Sequence, residues 1–287
     1  MRSFDLIEPR KLDDIFDLLT DGEEPVRPMG GGTALMLMMK ANLFAPARLV
    51  SLRHLGAPFV GLSFDPESSV MRIGALTTFS QLEHSADIAA HLPVVTQTMK
   101  TLANVRVRNV ASVGGNLAHA DPHLDLPPVW LALDADVMLV SRNGERIVPV
   151  EEIFAGYYET TIADGELVAE LRVPVKAGWR STYVKITTRA AHDWPALGLT
   201  ISVSGGPARI DDLRLVLSAA LDRPTRLREA EAVLRGRALD DDVLREAGDA
   251  AVAEVDIESD SRGSSAYKQE LLRVHLRRGL VSLLGAA

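Results

Sequence analysis

Apolar positions fall at helical spacing over Asp13–Leu19, shorten to a strand-like run at Val26–Met29, and stop at Gly30-Gly31-Gly32, which forces a turn. Thr33 stands where an N-cap belongs, ahead of an apolar helix over Ala34–Lys40, and Arg48-Leu49-Val50-Ser51-Leu52 reads as a second strand. Strand, glycine turn, helix and strand make a βαβ unit, whose crossover is expected to be right-handed. Beyond it the pattern changes to hairpins. Phe59–Ser63 and Val70–Ala75 flank a turn at Asp65-Pro66-Glu67-Ser68, and Val137–Val140 and Arg146–Val150 flank Asn143-Gly144.

Between the hairpins, Leu92–Thr101 predicts a helix and Pro128–Leu133 a shorter one. After Pro174 the runs Tyr183–Thr187, Leu197–Ser204 and Leu213–Ala219 suit an antiparallel meander. Helices follow at Leu227–Leu234, Asp241–Ala253 and Tyr267–Leu284, with a loop at Ser259–Ser265. No internal repeat interrupts this order.

Composition narrows the class. The chain has 287 residues, 47% hydrophobic and 24% charged, the profile of a soluble globular protein with room for more than one domain. Apolar runs are too short to span a bilayer, and the N-terminus has no apolar leader, so no membrane span and a cytoplasmic location are expected. A net charge of −8 with scattered basic residues argues against nucleic acid as a partner. There is no cysteine, so this chain cannot hold an iron–sulfur cluster, a disulfide or a thiol nucleophile of its own.

Three stretches carry candidate chemistry. Glycines before a helix leave backbone N–H groups uncovered at a positive helix end, which suits a phosphate. Gly30-Gly31-Gly32-Thr33 is one such turn, although it matches neither of the common nucleotide-loop patterns. Ser112-Val113-Gly114-Gly115-Asn116 is a second, and two nests suit the two ends of a diphosphate. The third stretch spaces His119, Asp121, His123 and Asp125 two apart. These are metal-ligating residue types, but Pro122 argues against the regular strand that would align them. Their carboxylates otherwise serve as hydrogen-bond acceptors.

The segments Gly30–Lys40 and Val107–Val137, followed by Glu166–Pro174, Tyr183–Val203 and Tyr267–Leu280, resemble the FAD-binding medium subunit of the molybdenum hydroxylases, in order and spacing over nearly the whole chain. That family includes carbon monoxide dehydrogenase and bacterial xanthine dehydrogenase. The resemblance implies that FAD is held by a first loop of Pro28, Met29, Gly30, Gly31, Gly32, Thr33, Ala34 and Leu35. It implies a second loop of Ser112, Gly114, Gly115 and Asn116. Asp125 matches a residue of the ribityl or ribose region, Leu102 and Val168 match apolar positions near the cofactor, and Lys185 matches a polar position facing the flavin. Asp193 and Trp194 fall in the segment that reaches the ring, and His119 becomes a neighbour of the cofactor. Ala34 departs from the Asp or Ser common in the family, which removes one side-chain hydrogen bond. Trp194 replaces a Tyr, Ile or other apolar residue and is expected to stack on the flavin.

The implied fold is α+β. A two-part FAD-binding domain (1–57, a small βαβ subdomain, and 58–176, mixed) precedes a C-terminal antiparallel sheet with helices (177–287), with FAD in the crevice between them. The implied function is electron transfer. A large partner subunit carries the molybdenum cofactor and a small one the [2Fe–2S] clusters; FAD here passes electrons to NAD, a quinone or oxygen. Neither a catalytic side chain nor a metal is expected on this chain. Two other readings stand beside this one: a metal-dependent hydrolase built on His119, Asp121, His123 and Asp125, and a scaffold subunit without flavin.

Overall fold

The computed structural model describes residues 2–20 and 25–285, and its architecture is the mixed α+β one expected. Strands β1 (Asp5–Ile7), β2 (Val26–Met29) and β3 (Arg48–Ser51) form a parallel sheet in the order β1-β3-β2, joined through α1 (Leu12–Thr20) and α2 (Thr33–Lys40). The three-residue β1 carries no alternating pattern that would mark it in the sequence. Pairing with β3 makes it a strand. Helix α2 begins earlier than its pattern suggests. Its N-cap is Gly32, at φ 67°, so Thr33 is already helical and caps nothing.

Strands β4 (Leu62–Asp65) and β5 (Val70–Gly74) make the first hairpin. Six short helices follow: α3 (Phe79–His84), α4 (Ala86–His91), α5 (Pro93–Met99), α6 (Val105–Arg108), α7 (Val113–His119) and α8 (Leu126–Ala132). They are short because caps interrupt them. Thr78 forms a capping box with Gln81, and Ser85, Asn104 and Ser112 cap α4, α6 and α7. Next come β6 (Asp136–Ser141), β7 (Gly144–Pro149), the small pair β8 (Phe154–Gly156) and β9 (Glu159–Thr160), and β10 (Leu167–Pro174). The antiparallel order is β4-β5-β10-β6-β7, with β10 in the middle. Alternation along these strands builds two cores. Val137, Leu139 and Leu171 face the short helices, while Met138, Val140 and Ala169 pack on Ile15, Phe16 and Val50 of the first sheet's layer.

The third part holds β11 (Arg180–Ile186), β12 (Leu197–Gly206), β13 (Arg209–Ser218) and β14 (Thr225–Arg226), antiparallel in that order, with α9 (Arg228–Leu234), α10 (Asp241–Ala253) and α11 (Ser265–Leu284). Leu197, Leu199, Ile201 and Val203 pack with Leu272, Leu276 and Leu280 of α11. The intervening Gly198, Thr200 and Ser202 belong to the opposite face, and β11 and β12 also contact α5 and α8 of the preceding part. That polar seam carries several of the site residues. No described helix is long and apolar enough to cross a membrane.

Candidate functional site

Strand β2 delivers the chain to Gly30–Gly32, and Gly32 reverses it into α2 in a left-handed conformation that glycine adopts without strain. The first intrahelical bond runs from Met36 N–H to the Gly32 carbonyl at 2.9 Å. The amides of Thr33, Ala34 and Leu35 precede it and have no capping side chain, so they remain donors at the positive end of the helix. Pro28 has no N–H to offer, and the Met29 carbonyl accepts from Leu52 N–H at 3.0 Å. These two residues shape the turn, and the donors lie after them.

The glycines also serve contact. A Cβ on Gly31 would lie 1.9 Å from the Val110 carbonyl oxygen, and one on Gly30 would lie 2.6 Å from Ser112 Oγ. The two glycine stretches, some eighty residues apart in sequence, therefore touch, and bare backbone is what lets them.

The second stretch differs from its sequence reading. Gly114 and Gly115 lie in the first turn of α7, not in an open nest. Val113 N–H donates to the Thr77 carbonyl (3.0 Å), Gly114 N–H to the Ala75 carbonyl (2.7 Å), and Asn116 N–H to the Ser112 carbonyl (2.9 Å). Gly115 N–H donates to Ser112 Oγ at 3.3 Å. These amides have partners within the protein, unlike those at the start of α2. Gly114 is bare for another reason: a Cβ there would meet the Ala75 methyl at 2.6 Å. What this end offers a ligand is side chains. The Ser112 hydroxyl faces Gly30, and Asn116 Oδ1 is buried without a hydrogen-bond partner. An orphaned acceptor one helical turn beyond the hydroxyl that faces Gly30 fits a ligand that brings hydroxyl donors.

Asp125 and Lys185 do come together. Lys185 Nζ donates to Asp125 Oδ2 at 2.9 Å and to the Thr101 carbonyl at 3.1 Å, next to buried Leu102. Asp125 Oδ1 accepts from the Tyr183 hydroxyl at 2.7 Å. Burial pushes the Asp125 carboxyl up, against the pull of Lys185 and Tyr183, and burial and Asp125 raise the Tyr183 phenol well above its usual value. Asp125 thus has an inner partner, Tyr183, that sequence reading missed. Positions 183 and 185 share one strand face, the spacing that could have found it. Val168 is buried in the same core cluster as Leu102.

The His119 to Asp125 series does not converge on one point. Asp121 is its hub, accepting from His123 N–H (2.9 Å) and the Tyr158 hydroxyl (2.7 Å), with His123 Nδ1 at 3.1 Å and His119 Nε2 at 3.9 Å. Asp125 turns away to Lys185. Among the described residues no group of three or more metal-ligating side chains is placed to hold an ion, which removes the geometric basis of a metal-dependent hydrolase. His119 sits edge-on to Tyr158, and burial holds its imidazole below the ordinary range, partly offset by Asp121. Trp194 is half exposed. It stacks on His123 with ring centroids 5.4 Å apart, and the Arg262 guanidinium lies 5.7 Å from its ring. Asp193 Oδ2 accepts from Ala190 N–H within the same loop. Arg262 comes from the distant 259–265 loop, and no sequence pattern marks it.

Comparison with known proteins gives two matches that tile the chain. Residues 2–176 match the FAD binding domain in molybdopterin dehydrogenase, and residues 182–283 match the CO dehydrogenase flavoprotein C-terminal domain. The carbon monoxide dehydrogenase medium chain of Afipia carboxidovorans is 34% identical over 280 residues, covering 97% of this chain and 96% of its own. The glyceraldehyde dehydrogenase medium chain of Sulfolobus acidocaldarius is 30% identical over 255 residues, 88% of this chain and 89% of its own. A chain of the reconstituted CO dehydrogenase from Oligotropha carboxidovorans superposes with a TM-score of 0.93 at 32% identity, covering 100% of this chain and 99% of that one.

Proposed function

The chain belongs to the FAD-binding medium subunits of the molybdenum hydroxylases, and on that premise we propose that it is the electron-transfer subunit of a heterotrimer. FAD is its cofactor and it is an oxidoreductase component. In this reading a large subunit oxidises substrate at a molybdenum cofactor and a small subunit relays electrons through [2Fe–2S] clusters. The absence of cysteine from this chain leaves those clusters to the partner. Bound FAD would supply the redox chemistry that hands electrons to NAD, a quinone or oxygen.

The observation that carries the reading is the contact between the two glycine stretches, which sets the turn before α2 against Val110 and Ser112. The amides of Gly30–Leu35 would hold the pyrophosphate, and Ser112 and Asn116 would bind and orient the chain beside it. Asp125, Tyr183 and Lys185 would fix one cation near the ribityl and ring region; Leu102 and Val168 would exclude water. The loop of Asp193 and Trp194, with His119 and His123 behind it, would border the ring. We propose domain limits of 1–57, 58–176 and 177–287, with the cofactor in the crevice between them.

The test is the absorption spectrum of the gently purified chain, followed by co-expression with candidate large and small subunits. Flavin bands, co-purification and substrate-dependent dye reduction only in the complex are the expected outcome. A chain that takes up no FAD even in the complex is a scaffold, and substrate oxidation by the isolated chain would sink the subunit reading.

A further inference from the structure

A cavity of about 320 Å³ opens where the start of α5, the end of α8, the β10–β11 connection and the end of α11 meet. It lies apart from the Asp125–Lys185 pair. Arg180 lines it and Lys185 stands five residues further along β11, about 17 Å at roughly 3.3 Å per residue.

The lining holds no carboxylate. Lys176, Arg180 and Trp179 present groups that only donate, and Gln97 and Ser202 can donate as well. Pro93, Leu133 and Leu283 give it an apolar side. The walls are held by the protein itself. Trp179 lies 4.6 Å from Lys176 Nζ and 5.3 Å from the Arg214 guanidinium, Ser181 Oγ donates to Ser202 Oγ at 2.8 Å, and His91 stacks on Phe64 at 3.9 Å. Arg180 is anchored by one bond, Nη2 to the Gly205 carbonyl at 2.6 Å, out of the several its guanidinium can make.

Behind the wall the charges are paired. Lys176, Arg214 and Arg226 all approach Asp134, and with Arg235 these four cations share three carboxylates, those of Asp134, Asp212 and Glu231. A donor-rich cavity lined by Lys176 and Arg180, with no carboxylate in its lining and an apolar side, selects a particular class of ligand.

We propose that this cleft binds a small organic anion, a carboxylate or phosphate carried on a flat apolar body. Such a ligand would touch both the 2–176 and the 182–283 segments and so stabilise their docking. The proposal does not depend on the flavin reading.

The experiment is titration calorimetry of the full chain, loaded with FAD where it takes FAD up, against phenyl phosphate, benzoate, inorganic phosphate and benzyl alcohol. At least one aromatic anion is expected to bind saturably at one site with Kd below about 1 mM, and benzyl alcohol not at all. Whichever of phenyl phosphate and benzoate binds tighter identifies the anionic group. Arg180→Gln should weaken that binding about tenfold, the loss of one charge-assisted hydrogen bond. Ser282→Trp, which fills the cavity, should abolish it. Both variants should keep the wild-type melting temperature and FAD content. The proposal is overturned if neither aromatic anion saturates below about 10 mM, or if either variant leaves the affinity unchanged. Inorganic phosphate binding as tightly as phenyl phosphate overturns the apolar half, and competition with FAD would place the anion in the glycine turns instead.

Discussion

At the start of α2 the amides of Thr33, Ala34 and Leu35 have no capping side chain, whereas at the start of α7 the amides of Val113, Gly114, Gly115 and Asn116 are engaged by Thr77, Ala75 and Ser112. The two stretches look alike in sequence. In the first, glycine gives a left-handed cap and keeps donors open. In the second, glycine lets a helix lie against Ala75, and the donors close on the protein. One residue type thus serves access in one place and close packing in the other.

The sharpest way to break this comparison is at Gly31. An alanine there puts Cβ 1.9 Å from the Val110 carbonyl, a backbone atom that cannot swing away. Gly31→Ala should part the two stretches and cost about 3 kcal/mol, the upper end for overpacking. FAD content should fall by about tenfold or more as the cradle opens, at about 1.4 kcal/mol per decade. Thermal melts and the flavin-to-protein absorbance ratio measure both. Wild-type values for both would mean that the stretches do not meet as described.

Gly114 should respond less. Gly114→Ala meets the Ala75 methyl at 2.6 Å but gains about 1 kcal/mol of helix propensity, for a net loss of about 1–2 kcal/mol. Ala75→Gly in the same chain should restore stability and FAD together, because the Gly114 amide already has its acceptor. Recovery of stability without FAD would return that amide to the ligand.

Smaller again is the contrast between the caps. Ser112→Ala removes the Gly115 acceptor and should cost about 1 kcal/mol, with Ser112→Thr as the retaining control. Thr33→Ala removes no cap and should stay within about 0.5 kcal/mol. Denaturant midpoints compare the pair directly; equal losses would mean that α2 is capped after all.

These effects show where sequence reading stopped. The βαβ unit was legible because apolar period and glycine punctuation agree there, and the C-terminal meander and helices because their alternation is long and regular. The two-residue connection of β6 to β7 was legible from Asn143-Gly144, with Gly144 at φ 126°. Helix α7 was not: two adjacent glycines oppose a helix locally, and only packing on Ala75 and the Ser112 cap override them. The glycine stretches were marked by their own residues, and Asp125 and Lys185 were each reached through family resemblance; their pairing was not foreseen, since no short pattern joins residues 60 apart. Tyr158 and Arg262 act through contacts that no local pattern encodes.

The finest distinction between the two regions is electrostatic. Pro28–Leu35 contains no titratable side chain, while α7 ends on His119, whose imidazole is held below 6.5 by burial against a smaller opposing pull from Asp121. A helix C-terminus favours the imidazolium, but that end of α7 is too enclosed for it to prevail. The sign follows from linkage. With the folded value depressed, the unfolded chain takes up the proton first as pH falls below 6.5, so native stability is full above that value and declines beneath it until the folded group also protonates. Asp121 is shifted the other side of this window: its carboxyl lies below 3.8, with burial opposed by the bonds from His123 and Tyr158, so its contribution is lost only in stronger acid. Burial and Arg278 depress the His275 imidazole as well, so His119→Gln should reduce the slope just below pH 6.5 without abolishing it and leave the strongly acid limb in place. Chemical denaturation at a series of pH values reads both limbs from one protein. If the slope below 6.5 is unchanged by the substitution, His275 carries it alone, and the closed end of the site is not the pH-responsive one.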